Sequence, residues 1–217
     1  MNNGHIKKLL LLGATGRAGR QLLKLCLEKD YAVTALVRTP EKLDIVEHPG
    51  LTVIKGDLSQ KTTLSILEQD KYDGVLSTLG IFNKSPGTPL TALTAGLIHS
   101  LRHQQNTPLI FMSSLGVGDS KKLGNVLVRM VTSITLRHVL PDKEQQEQLL
   151  RISGHPYAII RPPQLVSSEA SETYQRWQGH DTPGKLRWKI STTDAAKEML
   201  WALEHPEQYN KSWQISY

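Results

Sequence analysis

Two rhythms of apolar residues alternate along this chain. Short apolar runs, of which Leu9-Leu10-Leu11-Leu12 is the purest, give way to stretches where apolar residues return every three or four positions, as at Leu22, Leu23, Cys26 and Leu27. The runs have the length of buried strands, and the spaced stretches have the period of one helical face. The pattern predicts strands near 6–12, 32–37, 51–55, 73–78, 108–113 and 157–161, with a last short one near 212–216. It predicts helices near 17–29, 60–69, 89–104, 142–153 and 193–204, and a short helical turn near 40–47. Strand and helix in strict alternation give a parallel sheet with helices on both faces. The expectation is an α/β chain, a Rossmann-type doubly wound parallel sheet. No internal repeat and no linker rich in Gly, Pro or Ser divides residues 1–217, so a single domain is expected. Residues 1–5 read as a loose leader to the first strand.

Two segments break the alternation. Residues 121–140 place Leu123, Val126, Leu127, Met130, Val131 and Ile134 at the spacing of one helical face. Residues 167–188 are polar, with Trp177 and Trp188. Both follow strands on the side where doubly wound sheets bind ligands, so both are candidate walls of a substrate pocket. Each has a plainer reading: a helix packed on the sheet for the first, and simple packing of the tryptophans for the second.

Composition narrows the class. The net charge is +6, and Lys and Arg are scattered rather than clustered. That favours an anionic small molecule over a nucleic acid. The one cysteine, Cys26, falls on the apolar face of the first helix and reads as core. A lone cysteine suits a reducing compartment, and a cytoplasmic protein is expected. No stretch approaches the ~20 apolar residues needed to span a bilayer. His99 and His103 stand four apart on a helix, with no third metal ligand in view. Hydrolysis by a serine nucleophile lacks its G-x-S-x-G turn.

The first strand runs into Gly13-Ala-Thr-Gly-Arg-Ala-Gly19. Strand, glycine turn and helix form the dinucleotide-binding fingerprint, here spaced G-x-x-G-x-x-G. Gly13 allows the tight turn, Gly16 lets backbone approach a pyrophosphate, and Gly19 lets the helix pack close. Thr15 and Ala18 complete the loop that faces the phosphates from the helix N-terminus. After strand two, where an acid would take the ribose 2′-hydroxyl of NAD, stands Arg38, with Lys42 four residues on. A guanidinium there can pair with a 2′-phosphate, and Arg17 can add charge. NADP(H) is therefore the expected cofactor.

Asp57 and Leu58 follow strand three, where an acid can accept from the adenine amino group and an apolar neighbour can pack on the ring. An Asp at such a place also serves as a turn carboxylate. Thr78, Leu79 and Gly80 end strand four, small enough to let a cofactor pass. Ser113 and Ser114 end strand five and bring hydroxyls toward the nicotinamide. Pro162 and Pro163 end strand six, offering carbonyls without N–H groups.

Together these motifs resemble the atypical short-chain dehydrogenase/reductase group. The residues that carry the likeness are Gly13 to Gly19, Arg38, Gly56-Asp57-Leu58, Ser113-Ser114, Lys143 with Glu147, and Tyr157 to Pro163. That group includes NmrA-like NAD(P)-binding proteins and flavin reductases of the biliverdin reductase B type. The likeness runs from residue 6 to about 204, including Ile190 to Ala196. It implies that Lys143 holds the nicotinamide ribose. Typical members place a tyrosine proton donor four residues before that lysine, and this chain has Val139 there. Hydride addition to a ketone needs an acid nearby, whereas a flavin ring takes hydride at nitrogen and can draw its proton from water. The flavin reductases likewise lack the tyrosine, although their histidine after the two prolines is Gln164 here. The resemblance implies an NADPH-dependent reductase of flavin or a similar conjugated acceptor, with Ser114 and Lys143 as the catalytic pair. The alternative it implies is a non-catalytic NADP(H) sensor or assembly factor. A monomer or weak homodimer is expected, with a small-molecule partner.

Overall fold

The computed structural model describes residues 8–45, 47–80, 87–123, 137–171, 173–180, 182, 184 and 186–217. β1 (Lys8–Leu12) carries four consecutive leucines because both faces of the strand are covered. Leu9 and Leu11 point into one apolar core, and Leu10 and Leu12 into the other. α1 (Arg17–Glu28) and α5 (Thr192–Glu204) pack against the first face. Leu67 of α2 (Lys61–Gln69), Leu97 of α3 (Pro89–Ser100) and Leu150 of α4 (Val139–Ile152) pack against the second.

The other strands are β2 (Ala32–Val37), β3 (Leu51–Lys55), β4 (Gly74–Ser77), β5 (Leu109–Met112), β6 (Tyr157–Arg161), β7 (Gln164–Val166), β8 (Gln175–Trp177), β9 (Lys189–Ser191) and β10 (Lys211–Ser216). Eight of them form one sheet in the order β3-β2-β1-β4-β5-β6-β10-β8. All neighbours run parallel except β8, which pairs antiparallel with β10 at the edge. The strand order reverses between β1 and β4, and a doubly wound sheet opens its ligand crevice at such a point. The expected Rossmann-type architecture is therefore present, with helices on both faces.

Boundaries and short elements differ from the sequence expectation. α4 starts at Val139 rather than near 142, with Pro141 in its first turn, where a missing N–H costs little. α3 stops at Ser100 rather than running to 104. Ser100 Oγ takes the Leu97 carbonyl at 2.8 Å, and Gln104 turns away to hold the backbone of Asp70 and Tyr72. The turn near 40–47 is a single 3-10 turn over Pro40–Lys42. β7, β8 and β9 carry too few residues to show a period, and pairing alone makes them strands: β7 with β9, and Trp177 of β8 opposite Gln214 of β10.

Residues 1–5, read as a loose leader, lie outside the described residues, as does most of the apolar segment 121–140, from 124 to 136. At its near end Leu123 packs with Leu115, Trp177, Leu186 and Trp188 in a small third cluster. The two interrupting segments thus meet, and the tryptophans do pack. Among the described residues no helix is long and apolar enough to cross a membrane.

Candidate cofactor and substrate site

At the switch point the chain leaves β1 through Gly13, whose φ of +82° excludes a side chain without strain. The Gly16 N–H closes the turn on the Gly13 carbonyl at 2.9 Å. A Cβ on Gly19 would lie 2.7 Å from the Gly13 carbonyl carbon, so α1 packs directly on the turn. Thr78, at the end of β4, pins this turn from the neighbouring strand. Its N–H takes the Leu12 carbonyl at 3.0 Å, and its hydroxyl lies 3.2 Å from the carbonyls of Leu12 and Gly13. α1 has no acid in its first turn and no side chain capping it. Its leading N–H groups therefore keep their capacity for an anion. Thr15 belongs to this loop and Ala18 to the first turn of α1. Leu79 and Gly80 continue past Thr78, and none of the described residues lies within 4 Å of a Cβ on Gly80.

Arg38 leaves β2 with 80% of its side chain exposed and its Nε 4.0 Å from Asp57 Oδ2. Asp57 Oδ1 accepts the Ser59 N–H at 2.9 Å, and this bond, helped by Arg38, holds the carboxyl below the usual range. Asp57 is thus a turn carboxylate and a neighbour of Arg38 at once. Leu58 is packed into the core. Lys42 is exposed, but its backbone is anchored by a residue the motif reading passed over. Arg20 donates from Nε to the Thr15 carbonyl at 3.0 Å and from Nη2 to the Lys42 carbonyl at 2.8 Å, and it pairs with Asp44. Backbone carbonyls leave no trace in sequence, so no motif marked it. Arg17 turns the other way, its Nη1 reaching the Leu165 carbonyl on β7 at 3.2 Å.

Ser113, Ser114, Lys143, Pro162 and Pro163 come together at the ends of β5 and β6. Ser113 is buried, and among the described residues its hydroxyl has no hydrogen-bond partner. Ser114 Oγ donates to the Leu115 carbonyl at 3.1 Å. The Pro162 carbonyl accepts the Leu115 N–H at 2.9 Å, which ties the two strand ends together. Lys143 is buried, with its Nζ 3.2 Å from the Met112 carbonyl. Burial lowers its pKa to about 8, against the attraction of Glu147 and Asp142. Val139 lies one turn before Lys143 on α4 and is buried with it.

Lys143 stands on a braced helix. Asp142 caps the start of α3, accepting from the N–H groups of Leu90 and Thr91 at 2.9 Å each. Glu147 grips the wholly buried Arg161 at 3.0 and 2.6 Å, and Arg161 also pairs with Asp119. An arginine closing an otherwise apolar strand was the signal for this cluster. Among the described residues no group of three or more His, Cys, Asp or Glu is placed to hold a metal ion. A glycine turn, an uncapped helix N-terminus and a buried hydroxyl with no partner among the described residues fit a dinucleotide laid across the strand ends.

Comparison with known proteins decides the family, for the chain matches the NAD(P)H-binding family over residues 13–206. The chain belongs to that family. The expected kinship with NAD(P)-binding proteins is borne out. NAD(P)H is the family's ligand, in keeping with the cofactor expected from the glycine turn. The uncharacterized protein YwnB of Bacillus subtilis is 25% identical over 219 residues, covering 96% of this chain and 97% of that protein. The photosystem II assembly factor Ycf39 of Cyanophora paradoxa is 27% identical over 159 residues, or 70% of this chain. This chain spans only 44% of that factor's length. Among solved structures, ChuY, described as an anaerobillin reductase from Escherichia coli O157:H7, superposes with a TM-score of 0.81 at 21% identity over 97% of each chain. A wide-type short-chain dehydrogenase/reductase from Veillonella parvula, solved with NADP, gives 0.81 at 19% identity over 98% of this chain and 95% of that one. At such identities these structures share the fold with this chain.

Proposed function

We propose that the chain is an NADPH-dependent reductase that passes hydride to flavin or a similar conjugated small molecule without a tyrosine proton donor. The observation that carries this reading is Val139. It stands one turn before the buried Lys143, where carbonyl reductases of this group keep their acid, and a valine has no proton to give. A reduced ketone oxygen would be left without a donor, whereas a reduced flavin ring takes its proton from water.

NADPH, when bound, supplies the hydride. The amides of Gly13 to Ala18 would hold the pyrophosphate, and Arg38 with Lys42 the 2′-phosphate. Asp57 would meet the adenine, with Leu58 packed in the core behind it. Thr78 to Gly80, Ser113, Lys143, Pro162 and Pro163 would set the nicotinamide riboside, and Ser114 would be the polar group nearest the acceptor. Catalysis on this reading is chiefly positioning. The test is NADPH oxidation by the pure protein with FMN, repeated with NADH and with Arg38→Ala. FMN-dependent turnover that prefers NADPH and falls about tenfold in the variant is expected, the loss of one charge-assisted contact.

A second reading is favoured by one comparison. Assembly factors are among the relatives, so a chain that holds NADP(H) without turnover would also suit an acid-free site. Tight NADPH binding with no oxidation in the presence of FMN would select that reading and reject the first.

A further inference from the structure

We infer that Arg20 is a positioning residue for cofactor choice: it fixes the distance between the seat of the pyrophosphate and the seat of the 2′-phosphate. The inference rests on the reading of Arg38 and Lys42 given above and concerns how their loop is held in place. The glycine turn and the loop after β2 belong to different strand ends. Neighbouring strands hold each other only as far as Leu12 and Leu36, the last paired residues of β1 and β2. Beyond that point, the Arg20 side chain spans the gap with hydrogen bonds to both loops. Arg20 lies on α1, one turn past Gly16, and its own N–H takes the Gly16 carbonyl at 2.9 Å. Its guanidinium then reaches the Thr15 carbonyl on one side and the Lys42 carbonyl on the other, with Asp44 closing the pair.

The planar fork suits this task, since its donors point in fixed and different directions. A lysine ammonium at the same place carries the charge without that geometry. The charge of Arg20 is met by Asp44, so its contribution lies in the two backbone bonds rather than in a free cation. NADH and NADPH both use the pyrophosphate seat, but only NADPH must satisfy both seats together. Loosening the link therefore penalises NADPH and spares NADH.

The experiment measures Kd for NADPH and for NADH by nucleotide fluorescence on the wild-type protein, Arg20→Ala, Arg20→Lys and Arg38→Ala, with thermal unfolding to verify that each is folded. Both Arg20 variants are expected to bind NADPH about tenfold more weakly, with NADH changed less than about threefold. Wild-type NADPH binding in Arg20→Lys overturns the inference, because charge alone then suffices. An equal loss for both nucleotides also overturns it and reduces Arg20 to a brace of the glycine turn. Should Arg20→Lys unfold early, Arg20→Gln, a neutral side chain with a single amide group, replaces it, and a loss for NADPH no larger than for NADH again overturns the inference. If Arg38→Ala leaves NADPH preference intact, the 2′-phosphate reading itself fails and the inference falls with it. If Arg38→Ala abolishes the preference while the Arg20 variants keep it, the inference alone fails.

Discussion

The two halves of the site are built on different principles. Around β1, α1 and β2 the site is made of backbone: a positive-φ glycine, a carbonyl against a helix, and a threonine and an arginine that bond carbonyls. Beyond β5 it is made of charges. The buried pair of Arg161 and Glu147, with the exposed Asp119 at its rim, ties β6, α4 and the turn after β5 together. Glu198 of α5 takes Tyr174 at 2.9 Å and pairs with Arg176, whose guanidinium lies 3.3 Å over the Trp201 ring. Asp194 accepts from Tyr217 Oη at 2.5 Å, from Ser191 Oγ at 2.9 Å and from the Ser171 N–H at 2.9 Å. The first half tolerates no added atom, while the second tolerates no unpaired charge.

The sharpest way to break the contrast is Arg161→Met. Glu147 would stay buried, left with the attraction of Lys143 and the partly exposed Arg151 at 3.2 Å, and Asp119 would lose Arg161. A loss of about 3–5 kcal/mol in urea unfolding is expected. Adding Glu147→Leu should return part of it, because the buried carboxylate is then no longer stranded while Lys143 keeps Asp142. A loss below about 1 kcal/mol would show that the cluster is not what braces α4.

Gly19→Ala tests the backbone half. The new methyl meets the Gly13 carbonyl, and overpacking of about 1–3 kcal/mol is expected. Nucleotide affinity should fall further than stability, since the turn itself must shift. Equal affinity with reduced stability would mean that the turn is not the binding surface.

A smaller and pH-dependent effect belongs to Lys143. Its folded pKa lies near 8, below that of an unfolded lysine, so between about 8 and 10 the unfolded chain binds more protons. Stability should therefore rise with pH through that window, and Lys143→Met should flatten the rise. The charged lysine, present below about 8, is the form that would hold a ribose hydroxyl as a donor. The kcat/KM for NADPH should accordingly fall as pH rises through 8, and Lys143→Arg should move that break upward. A flat profile would remove Lys143 from the binding step.

Much of the first half was legible beforehand because its requirements are local. A glycine spacing, an arginine after a strand and an apolar run each act within a few residues of where they are written. Arg20 escaped notice although it adjoins the fingerprint, because its partners are carbonyls that any residue supplies. In the second half Lys143 and Val139 were found by alignment to a family pattern. The grip of Glu147 on Arg161 required the helix and the strand to be placed side by side. β7, β8 and β9 were missed for the same reason: three residues carry no period, and only a neighbouring strand makes them part of a sheet.

Taken alone, the sequence determined the strand and helix alternation, the parallel doubly wound sheet and the glycine turn. These follow from short-range sterics and from the two periods of hydrophobic burial. Only the tertiary structure decided that Arg20 links two loops, that Asp142 caps another helix, that Arg161 is buried on Glu147, and that the two interrupting segments share an apolar cluster. Such contacts join residues far apart in the chain. Their energy depends on burial and distance, and neither exists until the sheet has formed.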